Sequence, residues 1–278
     1  MPSWHMLPIG ERGALRSKHD PREPHDPAEP HPGLGQYQLI CGDSRDMALV
    51  GSGEAALVST SPPYFPPDVE AMLFLFRRNQ SQPRIVWERL VEFAESLAPV
   101  YQEIARVVGN TGIVALEIKD IRYGDYLLPL AAVHARLAMS AGLWMRSRIW
   151  IEVSNRNPHH APKFECEPDV GSFRTFDCGQ LLIFAAKSFD ARPGRALDAD
   201  LLAPRELIEP RWRVAAAQFE RTHPHQSPPE LIRRLIKLYT TPGELVVDPF
   251  AGSAQTLRIA ASLGRRAVGY EIDPARVP

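Results

Sequence analysis

Two short stretches of this sequence place reactive and ligand-gripping residue types at the ends of apolar runs. The first is Asp248-Pro249-Phe250-Ala251-Gly252-Ser253-Ala254, with a second acid, Glu271, 23 residues beyond Asp248. A glycine in such a bend lets the backbone approach a ligand, and an acid about 20 residues further on suits ribose hydroxyls. The start of the following helix adds free N–H groups. No G-x-G-x-x-G and no Lys-Ser/Thr accompany the bend, which argues against a pyrophosphate or triphosphate. An aspartate inside it repels phosphate and suits a cation, such as an amine or a sulfonium. The second stretch is Thr60-Ser61-Pro62-Pro63-Tyr64-Phe65. Two prolines fix φ and leave carbonyls without neighbouring donors. The Pro62 carbonyl and the Ser61 hydroxyl are then two acceptors for an exocyclic amine, and Tyr64 offers a face for stacking a planar base.

Other patterns carry less. Gly51-Ser52-Gly53-Glu54-Ala55-Ala56 fits a loose GxGxxA, but it precedes a strand instead of following one and reads as a turn. His159, His160, Cys166 and Cys178 lack a CxxC pair, so no metal site is expected. None of the three cysteines follows a proline, which excludes a Pro-Cys thiolate nucleophile.

The elements that must position these stretches are strands alternating with helices. Strands are expected at Tyr37–Cys41, Ala55–Ser59, Gly112–Ile118, Leu143–Val153, Gln180–Lys187, Leu245–Val247 and Ala267–Tyr270. Helices are expected at Ile85–Val108, with Leu90, Leu97, Ile104 and Val108 on one face, at Leu127–Ala141, from Pro228-Pro229 through Tyr239, and over 254–263. The alternation predicts an open, mostly parallel sheet covered on both faces. Residues 1–36, with seven prolines and four histidines, read as a tail without a core.

The length suits one large α/β domain or two small ones. The chain has 278 residues, 44% hydrophobic and 23% charged, and a net charge of −1 that excludes a uniformly basic nucleic-acid coat. An odd number of cysteines, Cys41, Cys166 and Cys178, fits a reducing cytoplasm. The first residues lack the apolar segment of a signal peptide, and no apolar run is long enough to span a membrane.

Between Tyr37 and Asp273 the sequence resembles the amino-group DNA methyltransferases, specifically the cytosine-N4 type with the permuted, beta-class motif order. Thr60–Phe65 resembles the family's catalytic motif, S-P-P-Y in cytosine-N4 enzymes and more often D/N-P-P-Y in adenine-N6 enzymes. Asp248–Ala254 resembles its S-adenosylmethionine (AdoMet) loop, usually D-P-F-x-G-S-G. Glu271 matches the acidic ribose ligand, Gly42-Asp43-Ser44 the segment by the adenine, and His223 through Leu238 the helix beside the methionine moiety.

The resemblance implies an α/β, Rossmann-like AdoMet-dependent methyltransferase fold: a mostly parallel, doubly wound sheet with a C-terminal antiparallel strand pair. It implies Ser61, Pro62, Pro63 and Tyr64 as catalytic residues, and Asp43, Asp248, Phe250, Gly252, Ser253 and Glu271 as AdoMet-binding residues. Residues 37–187 become the catalytic half, 188–222 a target-recognition insert and 223–278 the AdoMet-binding half. DNA contacts are expected from Arg146, Arg148, Arg156, Lys163, Arg211 and Arg213. The expected partners are double-stranded DNA with a flipped target base and a cognate restriction endonuclease, the protein acting as monomer or homodimer. Adenine N6, an RNA amine, and a DNA-binding relative without activity are the alternatives. Two departures stand out. Ala254 replaces the family's glycine, which costs about 1 kcal/mol if the position needs φ > 0. The sequence also ends at Pro278, soon after Glu271, so part of one sheet face is expected to lose cover.

Overall fold

The computed structural model describes residues 35–65, 83–123, 126–154, 179–190, 209–215 and 227–277. The strands are β1 (Tyr37–Cys41), β2 (Ala55–Thr60), β3 (Ile113–Ile118), β4 (Ile121–Tyr123), β5 (Tyr126–Leu128), β6 (Leu143–Ser154), β7 (Gly179–Ala186), β8 (Arg211–Ala215), β9 (Leu245–Asp248) and β10 (Arg266–Glu271). The helices are α1 (Pro83–Val108), α2 (Leu130–Ser140), α3 (Pro229–Tyr239) and α4 (Gln255–Ser262), followed by a 3-10 turn at Pro274–Arg276. Among the described residues no helix is long and apolar enough to cross a membrane.

β2 and β9 are buried along their whole length. Fully buried strands need near-continuous apolar runs, and Ala-Ala-Leu-Val and Leu-Val-Val supply them. They lie in the middle of an eight-stranded sheet of order β1-β10-β9-β2-β3-β7-β6-β8, with β4 and β5 forming a separate hairpin. Strands β1, β10, β9, β2 and β3 are mutually parallel. The antiparallel pairing lies in the middle of the chain: β7 runs against both β3 and β6. This corrects the expected C-terminal placement, since the last strand, β10, is parallel to its neighbours. The succession of β6 and β7 without an intervening helix is the sequence trace of that reversal.

Two apolar layers sandwich the sheet. One joins α1 and α2 to Val58, Val114, Leu116 and Phe184, and the other joins α3 and α4 to Leu57, Ala115, Ile183 and Val246. Leu90, Leu97, Ile104 and Val108 are buried as the helical spacing predicts. Between α1 and α2 the Tyr101 hydroxyl meets His134 Nδ1 at 2.6 Å, and burial pushes the His134 pKa down to about 4. Gly109, just past α1, has φ +51°, and a Cβ there would stand 2.9 Å from the Gly53 Cα, so only glycine fits this helix stop.

Three expectations need adjustment. Leu127 and Leu128 belong to β5, because Pro129 delays the helix to Leu130. Arg211–Ala215, within the span assigned as an insert, pairs in parallel with β6 and extends the sheet. The expected loss of cover after Glu271 does not occur at β10, where Tyr270 is buried in one cluster with Met47 and Val50.

Candidate functional site

The chain order turns around between β9 and β2: from there the sheet proceeds through β10 to β1 on one side and through β3 on the other. Open α/β sheets bind ligands at such a point, beyond the carboxyl ends of the strands. Both chemical stretches leave the sheet here. Thr60 Oγ1 donates to Asp248 Oδ1 at 2.6 Å, joining residues 188 positions apart in a buried bond.

Asp248 is almost wholly buried. Burial pushes its pKa up, while hydrogen bonds from Thr60, from Thr256 and from the Phe250 amide favour the charged form, and nearby Glu271 disfavours it. The Phe250 N–H reaches Oδ1 at 3.1 Å, which closes the bend over its own aspartate. Glu271 secures the other side. Its Oε2 accepts from the Gly252 N–H and its Oε1 from the Asp273 N–H, both at 2.9 Å, while its backbone carbonyl accepts from the Gly42 N–H. The two carboxylates thus hold the loop's shape without using all of their acceptor capacity, because a carboxylate accepts about four hydrogen bonds.

Gly252 has φ +50°, and a Cβ there would approach Glu271 Oε2 at 4.0 Å. Ala254 has φ 58° and ψ 28°, so the position that is glycine in the family motif does require the left-handed conformation, and the alanine bears the strain. Ile272 is 68% exposed immediately after Glu271, an apolar surface beside a ribose-type acid. No sequence pattern singled it out. Asp43 stands at the end of β1, with its carboxylate held by the Arg45 amide at 2.9 Å and the Arg45 Nε at 2.7 Å. The hydrogen bond from the Arg45 side chain lowers its pKa.

In the Ser61–Tyr64 turn, Pro62 is buried and Ser61, Pro63 and Tyr64 are half-buried. The Ser61 and Tyr64 hydroxyls are hydrogen-bonded. Burial, and then the charge of Glu117, push the Tyr64 pKa up to about 12. Glu117 was not singled out from the sequence, where it looks like one polar residue in the apolar run Ile113–Ile118. The β2–β3 register ends with Thr60 opposite Leu116, so Ser61 and Glu117 are each the residue that follows the last pair on its own strand. Burial pushes the Glu117 pKa up to about 6, against a hydrogen bond with the Ser227 side chain at the start of α3. An acid inside an apolar strand that abuts a reactive motif is the signal that could have found it.

The expected DNA-contacting arginines divide. Arg148 shares a sheet face with Trp150, and the β6–β8 register sets Arg211 beside Trp150 and Arg213 beside Glu152. The Arg148 guanidinium lies 5.4 Å from the Trp150 ring centroid, and Arg213 Nε is 3.3 Å from Glu152 Oε2. Arg148 also borders a cavity of about 340 Å³ against Arg136, Met139 and Met145. Arg146 differs: its guanidinium donates to the Ala186 and Lys187 carbonyls, near the amino-terminal end of β6. Arg156 and Lys163 lie outside the described residues, as do His159, His160, Cys166 and Cys178.

Comparison with known proteins adds three findings. The family model described as DNA methylase matches residues 191–278. The type II methyltransferase M.XycI of Xanthomonas campestris pv. cyanopsidis is 39% identical over 251 residues, covering 81% of this chain and 80% of that protein. The fold is similar to that of the cytosine-N4-specific PvuII DNA methyltransferase, with TM-score 0.62, 15% identity and coverage of 88% and 84% of the two chains. It is similar as well to TTHA0409 of Thermus thermophilus solved with S-adenosyl-L-methionine, with TM-score 0.59, 22% identity and coverage of 87% and 90%.

Proposed function

The chain belongs to the DNA methylase family, making it an AdoMet-dependent DNA methyltransferase, and within that family we propose that it methylates the exocyclic N4 of cytosine. The observation that carries this reading is the Thr60–Asp248 hydrogen bond, which sets an amine-binding turn against a cation-suited loop. Ser61, where adenine-N6 relatives carry Asp or Asn, favours cytosine over adenine.

The residues fit the cofactor. Two acids converge on a loop whose Gly252 backbone has no Cβ to hinder approach, and the bend carries no Lys or Arg. Asp248, Phe250, Gly252, Ser253, Glu271 and Asp43 would hold it, with Ile272 against the adenine. When bound, AdoMet supplies a methyl carbon already activated by its sulfonium.

The protein's task is then positioning and polarisation more than covalent catalysis. The target base turns out of the duplex. Tyr64, a neutral phenol, stacks on it. Ser61 Oγ and the Pro62 carbonyl accept the amino hydrogens, which aims the nitrogen lone pair toward the loop. The Arg148, Arg211 and Arg213 face contacts phosphates, with residues 188–222 reading the target and a restriction endonuclease as functional partner.

Expression in a methylation-free host, followed by mass spectrometry of digested DNA, tests the proposal. N4-methylcytosine is the expected product; N6-methyladenine in its place overturns the choice of base. Ser61→Ala should lower turnover by about 100-fold with cofactor affinity kept, as loss of one polarising group does.

A further inference from the structure

We propose that Thr60 couples the two halves of the site, so that AdoMet at the acidic loop and the target base at the Ser61–Tyr64 turn each strengthen the binding of the other. This coupling deepens the amine-methylation reading above and rests on it. Thr60 is the last residue of β2 and immediately precedes Ser61. Its backbone is fixed by pairing with Leu116 of β3. The pairing of β2 with β9 ends earlier, at Val58 opposite Val247. The link from Thr60 to the end of β9 is therefore made by a side chain, Oγ1 donating to Asp248 Oδ1 at 2.6 Å. Both residues are buried, where a lost hydrogen bond is not made good by water.

The Asp248 carboxylate takes three donors: the Thr60 hydroxyl from β2, the Phe250 N–H from its own bend, and the Thr256 side chain from the first turn of α4. Of the three, Thr60 alone comes from the other chemical stretch. A hydroxyl makes a shorter and stronger bond to a full carboxylate than to a neutral acid. A cationic ligand beside Asp248 favours the charged form, which burial and Glu271 oppose. The ligand thereby tightens Thr60 onto Asp248 and holds the adjoining Ser61 where it accepts the amine. The reverse follows by linkage: a base seated on the turn fixes Thr60, and with it the carboxylate that grips the cofactor. Thr60 is in this sense a positioning residue, acting through Asp248 on one side and Ser61 on the other.

A hydroxyl that only satisfied a buried acid would support the fold and the cofactor equally with and without DNA. Coupling adds a difference that a two-ligand measurement reads.

The test is the affinity of an AdoMet analogue that carries an amine in place of the sulfonium and cannot transfer a methyl group. Calorimetry measures it with and without a saturating duplex bearing the sequence that the protein methylates in the expression host. The unaltered protein should bind the analogue about 10-fold more tightly with the duplex, within the usual range of coupling between sites. Thr60→Val keeps the shape and removes the donor, and should bring this ratio close to 1. Thr60→Ala should do the same and serves where the valine form does not fold. Thr60→Ser keeps a donor and should keep the ratio. Thr256→Val takes a donor from the same carboxylate but stands off the base turn. It should weaken the analogue alike with and without duplex and leave the ratio intact. A ratio near 1 in the unaltered protein overturns the coupling. A ratio that survives in Thr60→Val or Thr60→Ala, or that is lost equally in Thr256→Val, overturns the role of Thr60 alone. Absence of any methylated nucleoside from the unaltered protein overturns the methylation reading and the coupling with it.

Discussion

The carboxyl end of β2 and β9 and the outer face of β6 and β8 are both assigned to ligand recognition, yet they are built in opposite ways. At the first, hydrogen bonds tie segments from opposite ends of the sequence, Thr60 to Asp248 and Gly42 to Glu271, and Gly252 is held to Glu271 across the loop. At the second, Arg148 rests over an exposed tryptophan and Arg213 pairs with Glu152 while 75% of its side chain stays in solvent. Buried polar groups are costly to leave unpaired, whereas exposed ion pairs contribute little. The cofactor end is therefore shaped before any ligand arrives, and the arginine face is free to adjust to a duplex. The first suits a reaction that depends on alignment, the second a polyanion met in many registers.

If that contrast holds, the largest effect belongs to Asp248→Ala. It removes a charged partner of the cofactor and leaves Thr60 and Phe250 donors unpaired. AdoMet affinity should fall by about 100-fold or more, the equivalent of one charge-assisted contact of about 3 kcal/mol. Calorimetry reads it, and retained affinity would break the assignment of the loop.

Next comes acidity. The folded pKa of Glu117 is raised to about 6 from 4.5, so the folded state binds its proton more tightly than the unfolded chain. The associated stability is fully present below about pH 4.5 and is lost as pH rises through about 6, a change of about 2 kcal/mol. Urea unfolding across that window should show the slope, and Glu117→Gln should flatten it.

A smaller effect sharpens the picture of the loop. Ala254→Gly relieves the left-handed alanine and should stabilise the protein by about 1 kcal/mol, read as a higher urea midpoint. Loss of stability would mean that the alanine methyl's packing among Leu257 and Ile259 outweighs the backbone strain.

Smallest in stability is Arg213→Ala on the open face, which should move unfolding by less than about 0.5 kcal/mol. Its DNA affinity should nevertheless weaken across all sequences, with the salt slope reduced by about 1. An unchanged salt slope would remove this face from the DNA path.

Much of the arrangement was readable in advance. The central strands announce themselves because a strand buried on both faces must be apolar throughout, as Ala55–Val58 and Leu245–Val247 are. The two bends announce themselves because proline, glycine and acid at a strand end have few structural reasons to coincide. β8 escaped notice because Arg211-Trp212-Arg213-Val214 alternates over too few residues to stand out from an arginine-rich span. The hairpin of β4 and β5 escaped because three-residue strands have no period to detect.

Residue order and type alone determined the strand–helix alternation, the amine-binding turn, the acidic loop and the family resemblance, since each is a local pattern of polarity and backbone freedom. Only the tertiary structure decided that Thr60 grips Asp248, that the reversed strand lies in the middle of the chain, that Ala254 is held left-handed, and that the charge of Glu117 reaches Tyr64. Those are consequences of register between strands distant in sequence. A shift of one residue in a sheet turns every side chain to the other face, and no local pattern reports that choice.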